Sequence, residues 1–554
     1  MALQYIGARY VPRFMGTYDN TQVYEALDVV DNGLGTSYIA KIPTPAGTPL
    51  TNTTYWALYG ASSGAIVNLQ NQIDDMKDGT VPGSLQEQIN TNASGITALT
   101  NLIKEGYVTP EMFGAVGDGI TDDTNAVKAA IDNGGNIYVK NKYLITDVIK
   151  YTKPMCVFGE GEFIITSGKP LFFVEAGNTI KGIRFEGFTI KGDGVTFTTI
   201  EGSNMGVIGN FSGTIDLEDY TIRNVKFIDV SFGIYLNANN GGILKNVIVE
   251  NCYFKNIFGS SSGTGDGIAI ANNHNGNDSI LIQNNYFDDC GRHALYCSYA
   301  RGVVLAHNSI VNHGASNAAS IPNNAAINIA RSTEILVDGN YISKCRNIAI
   351  NITAIDGNES DNIKVINNTI ENKTADAPVD VAIGSDTPDV NGHVRNVIFD
   401  ENTLISPDGS SLLTVSSGVN VAVRGNLFEL KNVQDYSRAV SLYTNGTTEI
   451  SDNYVISNNI IISDKSLAHS RGILLNANVV TGTSEVTIYN NKILATQKVY
   501  FAGSLTNPNV HYAVDPISSS PWTAQLSNSA TLADVIDKVN FILTGMKDNG
   551  MMLY

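Results

Sequence analysis

An asparagine that returns at one place in a repeating unit constrains this chain more than any other feature. Read as N-x-φ, with φ an Ile, Phe, Leu or Val, the series runs Asn285-Tyr-Phe287, Asn308-Ser-Ile310, Asn340-Tyr-Ile342 and Asn368-Thr-Ile370. It continues through Asn402-Thr-Leu404, Asn426-Leu-Phe428, Asn453-Tyr-Val455 and Asn491-Lys-Ile493, in steps of 23 to 38 residues. Cys252 with Phe254 holds the same place one unit earlier. Short β-runs with polar corners at this period belong to a solenoid, because one coil alone cannot bury its apolar side. The asparagine then has a physical role. Stacked at a sharp corner, its amide can bond to the next asparagine and to backbone on neighbouring coils. Asparagines scattered through loops would not carry the flanking apolar residue with them, so the pattern predicts a parallel β-helix.

Composition agrees and excludes some partners. The chain has 554 residues, 43% of them hydrophobic, with 52 glycines suited to many tight turns. Its formal charge of -18 argues against a nucleic-acid or anionic-membrane partner, since both need a basic footprint. The five cysteines (Cys156, Cys252, Cys290, Cys297, Cys345) have no metal spacing and read as buried thiols rather than a disulfide framework. No apolar run is long enough for a membrane span, and the opening MALQYIGARYVPRF lacks the apolar stretch of a secretory signal. Work outside cells would then require lysis, another export route or carriage on a particle.

Four regions follow along the chain. Residues 1–62 form an aromatic block with turns at Asp31-Asn-Gly33 and Pro43-Thr-Pro45, expected to be a small β module for attachment or for stacking on sugars. In 63–106, Ile66, Leu69, Ile73 and Met76, then Leu85, Ile89, Ile96, Leu99 and Ile103, recur at helical spacing. This narrow stripe predicts a helical stem that meets copies of itself, hence a homotrimer. The β-helix is expected over 107–495, opened by a capping helix at 121–133 with Thr121 as N-cap and Asp122 and Asp123 in its first turn. Residues 496–554 end in an amphipathic helix around Leu532, Val535, Ile536, Val539 and Ile542.

The stretch FGAVGDGITDDTNAVKAAI, followed by a Gly-Gly-x-Ile-Tyr-Val strand, resembles the opening of the pectate-lyase-like β-helix proteins. That superfamily includes many phage tailspikes and polysaccharide-degrading enzymes. The N-terminal GARYVPRFMGTYDNTQVYEALDVVDNGLGTSYIAKIPTPAGTPLTNTTYW is similar to a module at the front of tail or appendage proteins in phages of Gram-positive bacteria. The close, SATLADVIDKVNFILTGMKDNGMM, resembles short tails on such proteins. The resemblance implies an all-β, right-handed single-stranded parallel β-helix and a virion or extracellular location. It also implies contact with other tail or baseplate proteins through 1–62 and a bacterial surface polysaccharide as partner. One scaffold in this superfamily serves lyases, hydrolases, isomerase-like enzymes and inactive adhesins, so it does not select a reaction.

Candidate site residues come from a second strand pattern, φ-x-φ after a Gly, an Ala or another residue: Gly233-Ile-Tyr-Leu236, Gly267-Ile-Ala-Ile270, Ala294-Leu-Tyr-Cys297, Ala326-Ile-Asn-Ile329, Ala349-Ile-Asn-Ile352, Asp380-Val-Ala-Ile383, Ala439-Val-Ser-Leu442 and Gly472-Ile-Leu-Leu475. The middle residue points outward, giving a column of Tyr235, Ala269, Tyr296, Asn328, Asn351, Ala382, Ser441 and Leu474. Its first members would line a shallow trough where a sugar can lie against tyrosine rings. The residue before each pattern forms a second column: Phe232, Asp266, His293, Ala325, Ile348, Val379, Arg438 and Arg471. Asp266 and His293 thus meet on adjacent coils, with Arg292 and Asp289 close in sequence.

Two chemistries fit this set. In glycoside hydrolysis, Asp266 and Asp289 are the paired carboxylates and His293 orients one of them. In β-elimination on a uronate, His293 or a tyrosine removes the proton and Arg292 stabilises the carboxylate. Tyr235, Arg292, Tyr296 and Asn328 would hold substrate in either case. A surface adhesin without catalysis is the third reading. His274, His293, His307 and His313 crowd within 40 residues, but no His-x-x-x-His pair or converging ligand set appears, so neither metal nor cofactor is expected.

Overall fold

In the computed structural model the repeat becomes a stack of three-strand coils. The structure describes residues 11–34, 36–59, 106–166, 170–174, 177–192, 207–210, 216–238, 241–258, 265–271, 279–315, 325–346, 348–355, 358–371, 380–384, 393–406, 411–416, 418–431, 437–443, 453–463, 470–476, 485–502 and 506–514. The stem expected at 64–104, the C-terminal helix around 531–543, and His274 lie outside the described residues. The chain divides into two compact units, Met1–Glu105 and Gly106–Tyr554.

In the first unit, strands Arg13–Thr17, Asp28–Asp31, Ser37–Ala40 and Trp56–Leu58 form a four-stranded sheet in chain order. Tyr24, Val30, Ala40 and Trp56 are its core, with Tyr18, Tyr38, Leu50 and Tyr55 packed around them. Tyr24 and Trp56 meet edge-on at 5.3 Å. So few residues leave little else to bury, and most of the aromatic block serves that core. Phe14 and Tyr59 stay exposed.

In the second unit, one coil is Ile280–Gln283, Tyr286–Cys290 and His293–Ser298; the next is Arg301–Ala306, Ser309–Val311 and Ala325–Ala330. Equivalent strands pair parallel and in register, Ile280 with Val303, Phe287 with Ile310, and Leu295 with Ile327. Two coil faces run on into one 27-stranded sheet, and the third is a 13-stranded sheet. Alternate residues of each strand point inward, so Ile, Val, Leu and Phe stack on their own kind along the axis. Phe227, Phe254 and Phe287 show this, with neighbouring rings 4.6 Å apart.

The corner asparagines form one buried ladder. Asn285 donates from its backbone N–H (3.1 Å) and from Nδ2 (3.0 Å) to Oδ1 of Asn308. Asn308 does the same to Asn340, Asn340 to Asn368, Asn368 to Asn402, and Asn402 to Asn426. Each Nδ2 also donates back to a carbonyl of the preceding coil, as Asn308 does to Ile282. Cys252 opens the ladder, its N–H donating to Asn285 Oδ1 at 2.9 Å. One member differs from expectation. Asn426 donates to Asn459, and Asn459 to Asn491, whereas Asn453 is an exposed strand residue. Both fit N-x-φ, but only Asn459 is a buried corner residue. Asn458, like Asn284, His307, Gly339, Asn367, Glu401, Gly425 and Asn490 before their ladder partners, is left-handed, and that conformation makes the corner.

Further differences concern the ends and one coil. The capping helix is Thr124–Asn133, and Thr121 belongs to the strand Asp118–Asp122. Asp123 is the N-cap residue, but its carboxylate accepts from the N–H groups of Val116 (2.7 Å) and Gly117 (3.0 Å) in the loop before it. Val127, Ala130 and Ile131 enter the solenoid core and cover its first coil. Strand Ser411–Ser416 adds a coil between Val381–Gly384 and Arg438–Tyr443. Its Leu412-Leu-Thr-Val415 fits φ-x-φ too, with Leu412 where most other coils have Gly or Ala. Pairing also continues past 495, through Gln497–Phe501 and Val510–Val514.

Candidate functional site

The 13-stranded sheet carries the cluster that the aligned strands point to. Asp266 and His293 are direct partners on the adjacent strands Asp266–Ala271 and His293–Ser298. Glycines shape the approach on both sides. Gly265 has φ +107, a conformation L side chains rarely adopt, and it accepts the Arg292 N–H at 3.0 Å. At Gly267 a Cβ would stand 2.7 Å from the Ala294 carbonyl and from the Phe287 ring. The chain can enter this strand only without a side chain there.

Asp266 is 1% exposed. Its Oδ2 lies 3.4 Å from Nη1 of Arg292, and its Oδ1, also buried, has no hydrogen-bond partner. Burial pushes its pKa up to about 7, with Arg292 and the His293 backbone N–H pulling the other way. Arg292 also lies over the Tyr296 ring, 5.4 Å from its centroid. The Tyr296 ring stacks on His293 at 5.0 Å. Arg292 and Tyr296 are half-buried and form the accessible side of the cluster.

His293 is fixed from two sides. Its Nδ1 donates to the Ala325 carbonyl at 2.8 Å, which leaves Nε2 to accept from Asn328 Nδ2 at 3.3 Å. Asn328 Oδ1 in turn accepts from Asn351 Nδ2 at 3.0 Å. Burial first, and then the charge of Arg292, hold the imidazole well below its usual pKa, so it stays neutral. His313, whose Nε2 donates to the Arg292 carbonyl at 2.8 Å, is brought down to about 4 by burial.

The remaining candidates stand further out. Tyr235 is 8% exposed, packs edge-on against Phe232 at 5.6 Å and accepts from Asn237 Nδ2 at 3.0 Å. Burial pushes its hydroxyl up to about 12. The outward column is therefore no open trough: Ala269, Asn328 and Asn351 are buried as well, and of its first members only Tyr296 is accessible. Asp289 takes a left-handed corner position, φ 62, in register with Asn256 and Asn312 and two strands along from Asp229. Asp289 and Asp266 both act on the buried Cys290 thiol, which burial above all pushes up. Asp266, Arg292, His293, Tyr296 and Asn328 thus form one connected group, with Tyr235 at its edge and Asp289 at the corner before it. Asn351 is the member that sequence reasoning left unassigned; its signal was the Ala-Ile-Asn-Ile motif repeated in register on two adjacent strands.

No group of three His, Cys, Asp or Glu poised for a metal occurs among the described residues. Asp118, Asp122 and Asp123 accept hydrogen bonds from nearby backbone and hydroxyl groups.

Fold and site together define a right-handed parallel β-helix with a polar, aromatic cluster on one sheet. Residues 260–428 match the family described as right handed beta helix region. The capsule K30/K69-specific depolymerase of Klebsiella phage K64-1 is 29% identical over 211 residues, 33% of this chain and 27% of that protein. The chain thus aligns with about a quarter of that relative's length. Among solved structures, the surface adhesin PfbA of Streptococcus pneumoniae is 19% identical at a TM-score of 0.41, over 71% of this chain and 93% of that one. The tailspike protein of E. coli bacteriophage HK620 is 12% identical at a TM-score of 0.48, over 74% and 81%.

Proposed function

We propose that this chain is a tailspike-like depolymerase that cleaves a bacterial cell-surface polysaccharide by hydrolysis, with Asp266 as general acid. The observation that carries this reading is the buried Asp266 carboxyl, with one oxygen unpartnered and Arg292 against the other, whose burial raises its pKa to about 7. A carboxyl kept protonated towards neutrality is what proton donation to a glycosidic oxygen requires. Arg292 and Tyr296 offer the substrate a cation and an aromatic face, His293 positions Tyr296, and Asp289 is the second carboxylate of the pair. The aligned segment of a phage capsule depolymerase supports the substrate class.

In this reading the protein acts as a homotrimer on a virion or outside cells, held to other tail proteins through residues 1–62. A second reading, β-elimination, draws on the Arg292–Tyr296 contact, with Tyr296 as base; both nitrogens of His293 are already engaged. Incubation with capsular and wall polysaccharides, following reducing ends and unsaturated-uronate absorbance, tests both. Reducing ends alone mean hydrolysis, and both signals mean elimination. Binding with neither signal would leave an adhesin and overturn the enzyme reading. Under hydrolysis, Asp266→Asn should lower the rate roughly 10²–10⁴-fold without loss of folded protein.

A further inference from the structure

The sheet that carries Asp266 also carries two arginines in register, Arg438 and Arg471. Three half-buried arginines on the other sheet meet carboxylates: Arg301 meets Glu334 at 2.8 Å, Arg395 meets Glu359 at 2.7 Å, and Arg424 meets Asp400 at 3.0 Å. Arg438 is half-buried, its Nε is buried without a hydrogen-bond partner, and no carboxylate lies within ion-pair distance among the described residues. Its guanidinium carbon lies 5.9 Å from the centroid of the Tyr443 ring. The next coil adds a second cation in direct register, Arg471, 9% exposed. Arg471 lies 3.8 Å over the Tyr500 ring, and its Nε donates to Gln497 Oε1 at 3.1 Å.

Two guanidinium groups on strands about 4.8 Å apart repel each other, and partial burial removes the water that would screen them. A bound anion reverses both costs. From this we infer that Arg438, with Arg471 beside it, forms a recognition site for an acidic group on a glycan, a carboxylate or phosphate carried by one of its sugars. The planar guanidinium matches such groups with paired hydrogen bonds. In a chain of net charge -18, this local positive spot also sets where an acidic polymer can lie. Registered partners run from Leu295 through Ile327, Ile350, Val381 and Leu413 to Val440. Five coil steps place the arginines about 24 Å along the same sheet from the Asp266 cluster. A glycan strand on this sheet would span both, with its acidic sugar several residues from the bond that is cleaved.

This rests on the glycan reading, but its test does not depend on turnover. Calorimetric titration of the full chain at low salt would use glucuronate, galacturonate, N-acetylneuraminate and glycerol 1-phosphate, with glucose and galactose as neutral controls. At least one acid should bind while the neutral sugars do not, and added salt should weaken it. Arg438→Gln should lower that affinity about tenfold or more, and Arg301→Gln, whose guanidinium is paired with Glu334 on the other sheet, should leave it unchanged. Absence of binding by every acid, or wild-type binding by Arg438→Gln, would overturn the proposal. So would a loss of assembly in Arg438→Gln by light scattering, since the guanidinium would then serve a neighbouring subunit. Anion binding that persists in a protein with no depolymerase activity would defeat the enzyme reading alone.

Discussion

Asp266 costs the fold stability whenever it is ionised, and the direction of that cost can be worked out. Its folded pKa, about 7, lies above the ordinary carboxylate value of 3.8. Between those values the folded chain holds a proton that the unfolded chain releases, so stability falls as pH rises through the window. Asp266→Asn removes this dependence. The variant should therefore gain on wild type between pH 4 and pH 8, by a margin of the order of a few kcal/mol. Thermal melts of both proteins at the two pH values check it; parallel shifts would mean that the carboxylate is solvated. Wild-type activity should fall above about pH 7 as the general acid deprotonates. His293 acts through its neighbours. His293→Ala should raise KM more than it lowers kcat, since Tyr296 loses the ring it stacks on, and a tenfold fall in kcat at unchanged KM would contradict this.

The ladder is the element on which the stack depends. Asn368 accepts from the N–H and Nδ2 of Asn340 and donates to Val337, Ile366 and Asn402. Asn368→Ala strands several of these groups away from water and should cost about 1–3 kcal/mol. Asn459→Ala should behave alike, while Asn453→Ala, on the solvated end of its strand, should stay within about 0.5 kcal/mol. Urea midpoints of the three variants check the register; equal losses at Asn453 and Asn459 would refute it. The repeat period, the ladder and the Asp266–His293 register were legible because each is set by strand alternation that recurs coil after coil. The Asn453 assignment failed because N-x-φ does not separate a buried corner residue from an exposed strand residue. Site depth was not legible either. Alternation says that Tyr235 and Asn328 point out of the coil, but not that they are covered there. The value near 7 for Asp266 likewise depends on burial that no spacing encodes.

At the scale of the whole molecule, the described β-helix accounts for its own core but not for its assembly. Its first coil is closed by Thr124–Asn133, so the solenoid does not need another copy to shield that end. The case for a trimer rests on the narrow apolar stripe of Ile66, Leu69, Ile73 and Met76 and its continuation from Leu85 to Ile103. Such a stripe is too narrow to bury itself in a single helix and gains most from knobs-into-holes contact with copies of itself. Replacing Leu69 and Ile73 together by Lys would set charge into that seam while leaving the coils untouched. The full chain should scatter light with three times its mass of 59.3 kDa, and the double variant should dissociate towards one. Circular dichroism of the β-helix should stay unchanged. A wild-type chain that remains monomeric at micromolar concentration would remove the stem.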